Sequence, residues 1–272
     1  MNGILPFPDI GEIAFSLGPL DFRWYGLSYA AGLLLGWLYV RNLVANERLW
    51  GGPAPITRDD VDDFLLWATL GVVLGGRLGY VLFYQPDFYF QNPWEIFNLQ
   101  KGGMAFHGAA VAVTLVAFLF AKRRGISFPA LTDVVTAAVP IGLFFGRLAN
   151  FINGELWGRV TNVPWAMIFP KADDNPRHPS QLYEAALEGL VLFVVLRIAT
   201  HYGQKLQRPG FVSGLFLLGY GLARGFVEHF YRQPDLTHPI SIHTPLTPGL
   251  AYSIPMVLLG VYLIYSFSRR KA

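Results

Sequence analysis

The chain has 272 residues, of which 53% are hydrophobic, 15% aromatic and only 14% charged. Soluble domains usually carry roughly 25% charged residues, so this composition excludes an ordinary soluble protein, and it equally excludes a disordered chain, which needs low hydrophobicity and high charge. The formal net charge is only +3 and cysteine is absent, which excludes disulfides, thiolate metal ligands and a cysteine nucleophile in the protein itself.

The N-terminal segment does not have the pattern of a cleavable signal peptide. It carries Asp9 and Glu12, has no basic region at its start and is interrupted by three prolines within the first 20 residues. Signal peptides need a basic start and an uninterrupted apolar stretch. We therefore expect an ordered or surface-lying leader before the first membrane span.

Seven segments are apolar enough and nearly long enough to cross a bilayer, which takes about 20 residues in a helix. Several contain small residues, which favour close helix packing in lipid. The third is short, and the fourth contains Asp133 and Pro140, so these two are the weakest predictions. The predicted spans are 24–41, 62–84, 105–121, 130–152, 182–199, 210–230 and 249–267.

The basic residues between the spans predict the orientation. Of the 21 lysines and arginines, twelve fall on the side that holds the C-terminus and six on the opposite side. Because Lys and Arg concentrate in cytoplasmic loops, we predict an all-α integral membrane protein with its N-terminus outside and its C-terminus in the cytoplasm. Residues 1–272 would form a single polytopic membrane domain, with outer loops near 153–181 and 231–248.

The three remaining arginines, Arg77, Arg147 and Arg224, lie inside predicted spans. Each is past the middle of a span that runs outwards, and at 1.5 Å per residue Arg77 lies about 10 Å below the outer end of its helix. A buried membrane arginine costs about 2.5–3.5 kcal/mol and usually faces a cavity or a partner. Snorkelling or structural pairing would explain one such arginine. Three at one depth favour an anion site, because a guanidinium matches phosphate bidentately.

Other polar residues are predicted at the same depth. Glu228 follows Arg224 by four residues and Asn150 follows Arg147 by three, so each pair shares a helix face, and Glu155 comes shortly after. His107 and Tyr25 each begin a predicted span from the outside. Alone, Tyr25 would be an interfacial aromatic and His107 a satisfied polar residue. Next to a phosphate site, a histidine suggests proton transfer in chemistry on a phospholipid.

Several polar residues receive only a structural interpretation. Asp133, Glu184 and Glu188 lie nearer the ends of their predicted helices, where capping or pairing is the default. The sequence contains no His-Glu-x-x-His, Gly-x-Ser-x-Gly or P-loop motif. Three histidines around the last outer loop do not have metal-site spacing and are interpreted as surface residues: His229, His238 and His243.

Six separated motifs of this chain resemble those of the bacterial prolipoprotein diacylglyceryl transferases. They occur in the same order and extend over nearly the whole chain. The most specific is Gly146-Arg147-Leu148-Ala149-Asn150-Phe151-Ile152-Asn153-Gly154-Glu155-Leu156-Trp157-Gly158. The others are Trp24-Tyr25-Gly26, Gly75-Gly76-Arg77-Leu78-Gly79-Tyr80, Gly102-Gly103-Met104-Ala105-Phe106-His107-Gly108, and Arg177-His178-Pro179-Ser180-Gln181-Leu182-Tyr183-Glu184 followed by Arg224 to Glu228.

The resemblance implies an enzyme that moves the sn-1,2-diacylglyceryl group of phosphatidylglycerol onto the lipobox cysteine of a prolipoprotein signal peptide. A thioether forms and glycerol 1-phosphate leaves, in the first step of lipoprotein maturation. No cofactor, metal or nucleic acid takes part. The location implied is the bacterial inner membrane, with the active site toward the outer leaflet. The thiol comes from the substrate, which agrees with the absence of cysteine from this chain.

The matching positions give a candidate site. Arg147 and Arg224 would contact the phosphate, Glu228 would orient Arg224, and Glu155 would orient Arg147 or bind the headgroup glycerol. His107 would accept the thiol proton or position the reacting groups. The catalytic candidates are His107, Arg147, Arg224 and Tyr25, and the substrate-binding candidates are Asn150, Glu155, Glu228, Gly158 and Arg77, although the glycine-rich setting of Arg77 also suits helix packing.

One departure and two alternatives remain. The family usually continues the histidine motif as His-Gly-Gly, whereas this chain has Ala109 after Gly108; the extra methyl would narrow helix approach or lipid entry. A transporter of anionic lipids would use the same arginines, but it is expected to have inverted repeats, and no convincing repeat is present. A lipid-binding structural subunit would not require His107 or Glu228.

Overall fold

The computed structural model describes residues 5–8, 10–98 and 102–268. The predicted leader contains a short antiparallel hairpin, β1 (Ile13–Leu17) and β2 (Leu20–Arg23). Helical structure follows in chain order: α1 (Trp24–Ala45), α2 (Arg58–Phe83), α3 (Pro86–Gln91), α4 (Phe106–Arg124), α5 (Phe128–Ile152), α6 (Ser180–Glu184), a π-helical segment (Ala185–Val191), α7 (Leu192–His201), α8 (Phe211–Phe230), α9 (Pro239–His243) and α10 (Pro248–Ser268).

Within the described residues, six helices are long and apolar enough to cross a membrane: α1, α2, α4, α5, α8 and α10. This confirms the predicted all-α membrane protein. The predicted span 182–199 differs from the other six because α6, the π-helical segment and α7 divide it. The number of spans and their orientation stay predictions.

One glycine, Gly189, allows the interrupted helix at 180–201 to approach α5 closely. A Cβ on Gly189 would lie 2.8 Å from the Cα of Phe144 in α5, closer than real side chains approach backbone. The π-helical segment therefore packs directly on the α5 backbone. Wide turns of this kind occur frequently at functional sites, and this one carries Glu188.

Asp133 has a capping role, as expected for an acid near a helix end. Its carboxylate accepts hydrogen bonds from the backbone N–H groups of Gly210 and Ser213, both at 2.8 Å, and from the Ser213 hydroxyl at 2.6 Å. The residue belongs to α5, yet it caps the start of α8. It thereby holds α5 and α8, which carry Arg147 and Arg224, at a fixed relative height.

The segment between α5 and α6 forms an ordered cap. Its backbone makes antiparallel bridges between Val160 and Arg177 and between Gly158 and Arg232. Phe169 is completely buried, whereas Trp165 is half exposed and donates a hydrogen bond to the Tyr183 hydroxyl at 2.6 Å. This cap contacts the N-terminal segment and the loop after α8, so the three segments predicted to lie outside occupy one end of the molecule.

Candidate active site

Three arginines and three glutamates form a single buried cluster at the capped end of the helices; we call it the charge cluster. Glu184 is its centre. Its carboxylate contacts Arg147 at 3.2 Å, Arg232 at 2.9 Å and the nearest guanidinium nitrogen of Arg224. The Glu184 side chain is fully buried and the arginine side chains are 15–16% exposed. The remaining members are Glu188 and Glu228.

Arg147 and Arg224 are held by different second partners. Glu188 Oε2 accepts two hydrogen bonds from Arg147, at 3.1 Å from Nε and 3.0 Å from Nη2. Glu228 Oε2 lies 2.8 Å from Arg224 Nη2, on the same helix face, as the four-residue spacing predicts. The two guanidiniums predicted to share one level thus meet through a common carboxylate.

The first turn of α10 is built around Glu228. A Cβ on Gly249 would lie 2.5 Å from the Glu228 carboxyl carbon, so this acid packs directly against the first turn of α10. The N-terminus of a helix carries a partial positive charge that stabilises a nearby carboxylate. Glu228 is therefore tied to α10 as well as to Arg224.

A cavity of about 870 Å³ reaches the charge cluster from inside the helix bundle. Arg147 and Asn150 line one end of it, and apolar side chains such as Val135 line much of the remainder. Along α5, Val135 and Asn150 are about 22 Å apart at 1.5 Å per residue, which exceeds the roughly 15 Å of hydrocarbon in one leaflet. The cavity thus pairs a cationic end with an apolar body, as an anionic lipid requires.

Asn150 lies beside Arg147 on this cavity wall. Its side-chain amide donates a hydrogen bond to Glu155 at 2.8 Å. The Tyr25 hydroxyl is 3.2 Å from that of Tyr29, and Tyr25 also lies next to the side chains of Asn150 and Glu155. These candidates consequently form a polar rim around the cationic end of the cavity.

His107 stands at the start of α4, separate from the charge cluster but close to the same cavity. It is exposed, and its ring centroid is 4.7 Å from that of Tyr252 in α10. Phe106, the residue before His107 in α4, lines the cavity. Met256, which like Tyr252 belongs to α10, lines it as well. The imidazole can therefore be reached by a group that enters from the surrounding membrane or water.

Sequence comparisons place the chain among known proteins. The family model described as "Prolipoprotein diacylglyceryl transferase" matches residues 12–266. A relative from Rhizobium leguminosarum bv. trifolii (strain WSM2304), named phosphatidylglycerol–prolipoprotein diacylglyceryl transferase, is 52% identical over 99% of this chain and 96% of its own length. The chain belongs to the prolipoprotein diacylglyceryl transferase family.

Further relatives with the same name show comparable similarity. The protein from Rhizobium meliloti (strain 1021) is 52% identical over 96% of this chain and 93% of its own length. That from Bradyrhizobium diazoefficiens is 51% identical over 99% of this chain and 95% of its own length. The family resemblance and the expectation of a transferase enzyme are thereby confirmed.

Arg77, a predicted substrate-binding residue in this member of the diacylglyceryl transferase family, contacts the backbone of the protein itself. Its side chain is buried and donates five hydrogen bonds to backbone carbonyls of the segment between α3 and α4. They range from 2.5 Å to Gly102 to 3.2 Å to Gly103. With its N–H groups used in this way, Arg77 anchors the segment that leads into His107.

Two further predicted residues of the transferase site, Gly158 and Glu155, also have partners within the protein. Gly158 is buried by the ordered cap: its N–H donates to His178 O at 2.9 Å, and its carbonyl accepts from Arg177 at 3.0 Å. A Cβ there would lie 2.5 Å from Tyr231 O, so packing requires a glycine at this position. Glu155 pairs with Asn150, and the partners of Arg147 are Glu184 and Glu188.

Sequence reasoning missed half of the charge cluster. Pairing was the default for Glu184 and Glu188, but their central position beside Arg147 was not predicted. Arg232 is one of the six basic residues on the predicted outer side of the membrane. Its side chain is nevertheless only 15% exposed and contacts Glu184 and Glu228. Their i,i+4 spacing, from 184 to 188 and from 228 to 232, is the signal that would have grouped them.

Proposed function

We propose that the protein transfers the sn-1,2-diacylglyceryl group of phosphatidylglycerol to the lipobox cysteine of a prolipoprotein signal peptide. The observation that carries this proposal is the cavity whose apolar body ends at Arg147 and Asn150. Two acyl chains would occupy the apolar part, and the phosphodiester would lie against the guanidiniums of Arg147 and Arg224.

The reaction is a displacement at the sn-3 carbon of the glycerol backbone. The thiol sulfur forms a bond to this carbon, the carbon–oxygen bond to phosphate breaks, and its electron pair remains on the leaving glycerol 1-phosphate. Negative charge on the phosphate increases as the bond breaks. Charge-assisted hydrogen bonds from Arg147 and Arg224, in a site of low dielectric constant, stabilise that charge.

The thiol must lose its proton, and His107 is the group proposed to accept it. A free thiol has a pKa near 8.5, so a general base contributes about 10²–10⁴ in rate near neutral pH. The exposed ring of His107 and its place beside cavity-lining Phe106 support this role. Tyr25 and Asn150 would donate to glycerol or phosphate oxygens from the rim.

The proposed location is the inner membrane of a bacterium. The charge cluster would face the outer leaflet, where a signal peptide that has crossed the membrane presents its cysteine. The loops with most Lys and Arg would then be cytoplasmic, as the positive-inside rule requires.

The direct test incubates the purified protein with phosphatidylglycerol labelled in its acyl chains and a peptide that contains a lipobox cysteine. We expect label on the peptide through a thioether and stoichiometric release of glycerol 1-phosphate. A peptide with serine in place of the cysteine is the matched control and should stay unlabelled. Lipid translocation into vesicles without peptide labelling would contradict the proposal in favour of a transporter.

A further inference from the structure

The charge cluster is complete without a ligand, and this creates a problem for an anionic substrate. Three arginines face three glutamates, so the cluster is neutral when all six groups are ionised. A phosphodiester adds one negative charge. An uncompensated buried charge is strongly unfavourable, so a lipid that enters this site must bring a cation with it or the cluster must gain a proton.

Glu188 is the carboxylate best placed to gain that proton. It is fully buried, and its Oε1 has no hydrogen-bond partner among the described residues. Its only ion-pair partner in that part of the chain is Arg147, which approaches Oε2 alone. A proton on Oε1 would therefore displace no existing contact.

The other two carboxylates, Glu184 and Glu228, each form ion pairs with more than one arginine. Glu184 contacts all three arginines. Glu228 Oε2 also has no hydrogen-bond partner among the described residues, but it forms ion pairs with Arg224 at 2.8 Å and with Arg232 at 3.7 Å, and the carboxyl group lies against the first turn of α10. Protonation of either acid would weaken several pairs, whereas protonation of Glu188 would release only Arg147.

Every group that faces Glu188 is consistent with this division. Arg147 approaches from α5, and Arg224 and Tyr220 lie on α8. Glu184 lies in α6, four residues before Glu188. Arg147 and Tyr220 also line the cavity. Protonation of Glu188 would therefore remove the ionised partner of Arg147, and Arg147 is also the arginine that a lipid phosphate in the cavity reaches.

We propose that Glu188 takes up one proton from solvent when the phosphate of phosphatidylglycerol binds, which frees Arg147 from its carboxylate to hold the phosphate. Glu188 is a positioning residue in this scheme, since it acts on the lipid through Arg147. The inference rests on the proposed function, because it assumes that the phosphate occupies the cationic end of the cavity.

The test counts protons on binding, in the absence of any thiol, so that no transfer occurs. Isothermal titration calorimetry of the full-length protein with dioctanoyl-phosphatidylglycerol, in buffers of different ionisation enthalpy, gives the protons taken up per lipid. We expect about one for the wild type over the pH range in which the lipid-free cluster is ionised, with a dissociation constant that rises about tenfold per pH unit there. Dioctanoylglycerol, which lacks the phosphate, should bind without proton uptake.

Glu188→Gln supplies the matched variant, since the amide copies the shape of the protonated acid. It should bind the lipid with no proton uptake and a pH-independent dissociation constant. Zero uptake in the wild type, or equal uptake in both proteins, would overturn the inference. Should the variant not fold, zero proton uptake by the wild type still overturns the inference. A complete absence of lipid binding would instead contradict the proposed function.

Discussion

At the scale of single residues, the charge cluster explains how three arginines are tolerated so deep in an apolar protein. Each lies beside at least one carboxylate, and Glu184 links all three. Removing one member of a buried ion pair costs about 3–5 kcal/mol when it leaves its partner uncompensated. This cost is limited for Glu184, which keeps two arginine partners if the third is removed, whereas Glu188 pairs with Arg147 alone among the described residues.

His107 carries the prediction about proton transfer. We expect His107→Asn to lower kcat by about 10²–10⁴, the usual contribution of a general base, and to shift the rate optimum toward higher pH, where the thiol ionises without help. The measurement is a pH–rate profile for peptide lipidation. A profile that keeps its shape in the variant would contradict a role as base and leave a positioning role.

Some residues of the candidate site can be identified from the sequence and others cannot. Arg147 and Arg224 were found because a charge inside an apolar span is visible in the sequence. Glu188 was not placed with them, because its distance from Arg147 depends on how the π-helical segment packs against α5. The acceptors of Arg77 are backbone carbonyls, which every residue possesses and which give no signal in side-chain patterns.

At the scale of secondary-structure elements, Arg77 fastens the segment between α3 and α4 to α2. We expect Arg77→Ala to reduce thermal stability, since five carbonyls lose a charged donor and hydrogen bonds to charged groups contribute about 1.5–3 kcal/mol each. Activity should fall as well, because His107 follows this segment. Thermal unfolding in detergent checks the first effect. An unchanged midpoint would show that the bonds are not needed to hold the segment.

The crossing of α2 and α4 explains why Ala109 is tolerated. The close approach is made by Gly108, where a Cβ would lie 2.3 Å from Gly75 O and 2.8 Å from the Cα of Gly79. We therefore expect Gly108→Ala to destabilise the protein markedly. The reciprocal control, Ala109→Gly, should change stability and activity little. If the two variants behaved alike in thermal unfolding, this account of the crossing would be wrong.

Prediction of the elements depended on their regularity. The six long helices contain long, predominantly apolar stretches, so the sequence identifies them to within a few residues. Residues 180–201 are divided into α6, a π-helical segment and α7, and Gly189 of the π-helical segment packs on Phe144 of α5. No pattern based on 3.6 residues per turn contains that information.

At the scale of the whole molecule, the predicted orientation can be tested directly because the chain has no cysteine. A single cysteine can replace Asp174 in the cap or Arg123 in the last turn of α4, both exposed. In intact cells, a membrane-impermeant maleimide should label Asp174→Cys, whereas Arg123→Cys should react only after permeabilisation. The reverse pattern would place the charge cluster toward the cytoplasm.

The proposed reaction requires that the charge cluster binds the phosphate of the lipid. Arg147→Ala and Arg224→Ala should each leave a folded, monodisperse protein. Glu184 retains two arginines in either variant, and Glu188, which loses its ion-pair partner in Arg147→Ala, should take up a proton instead of remaining a buried unpaired charge. Arg124→Ala is the matched control, as Arg124 pairs with Asp60 at the opposite end of the helices.

The decisive measurement is the rate of diacylglyceryl transfer from phosphatidylglycerol to the lipobox peptide in these three variants. Arg147→Ala and Arg224→Ala should abolish transfer, while Arg124→Ala keeps the wild-type rate. Full activity in both cluster variants would contradict the central claim that these arginines bind the phosphate.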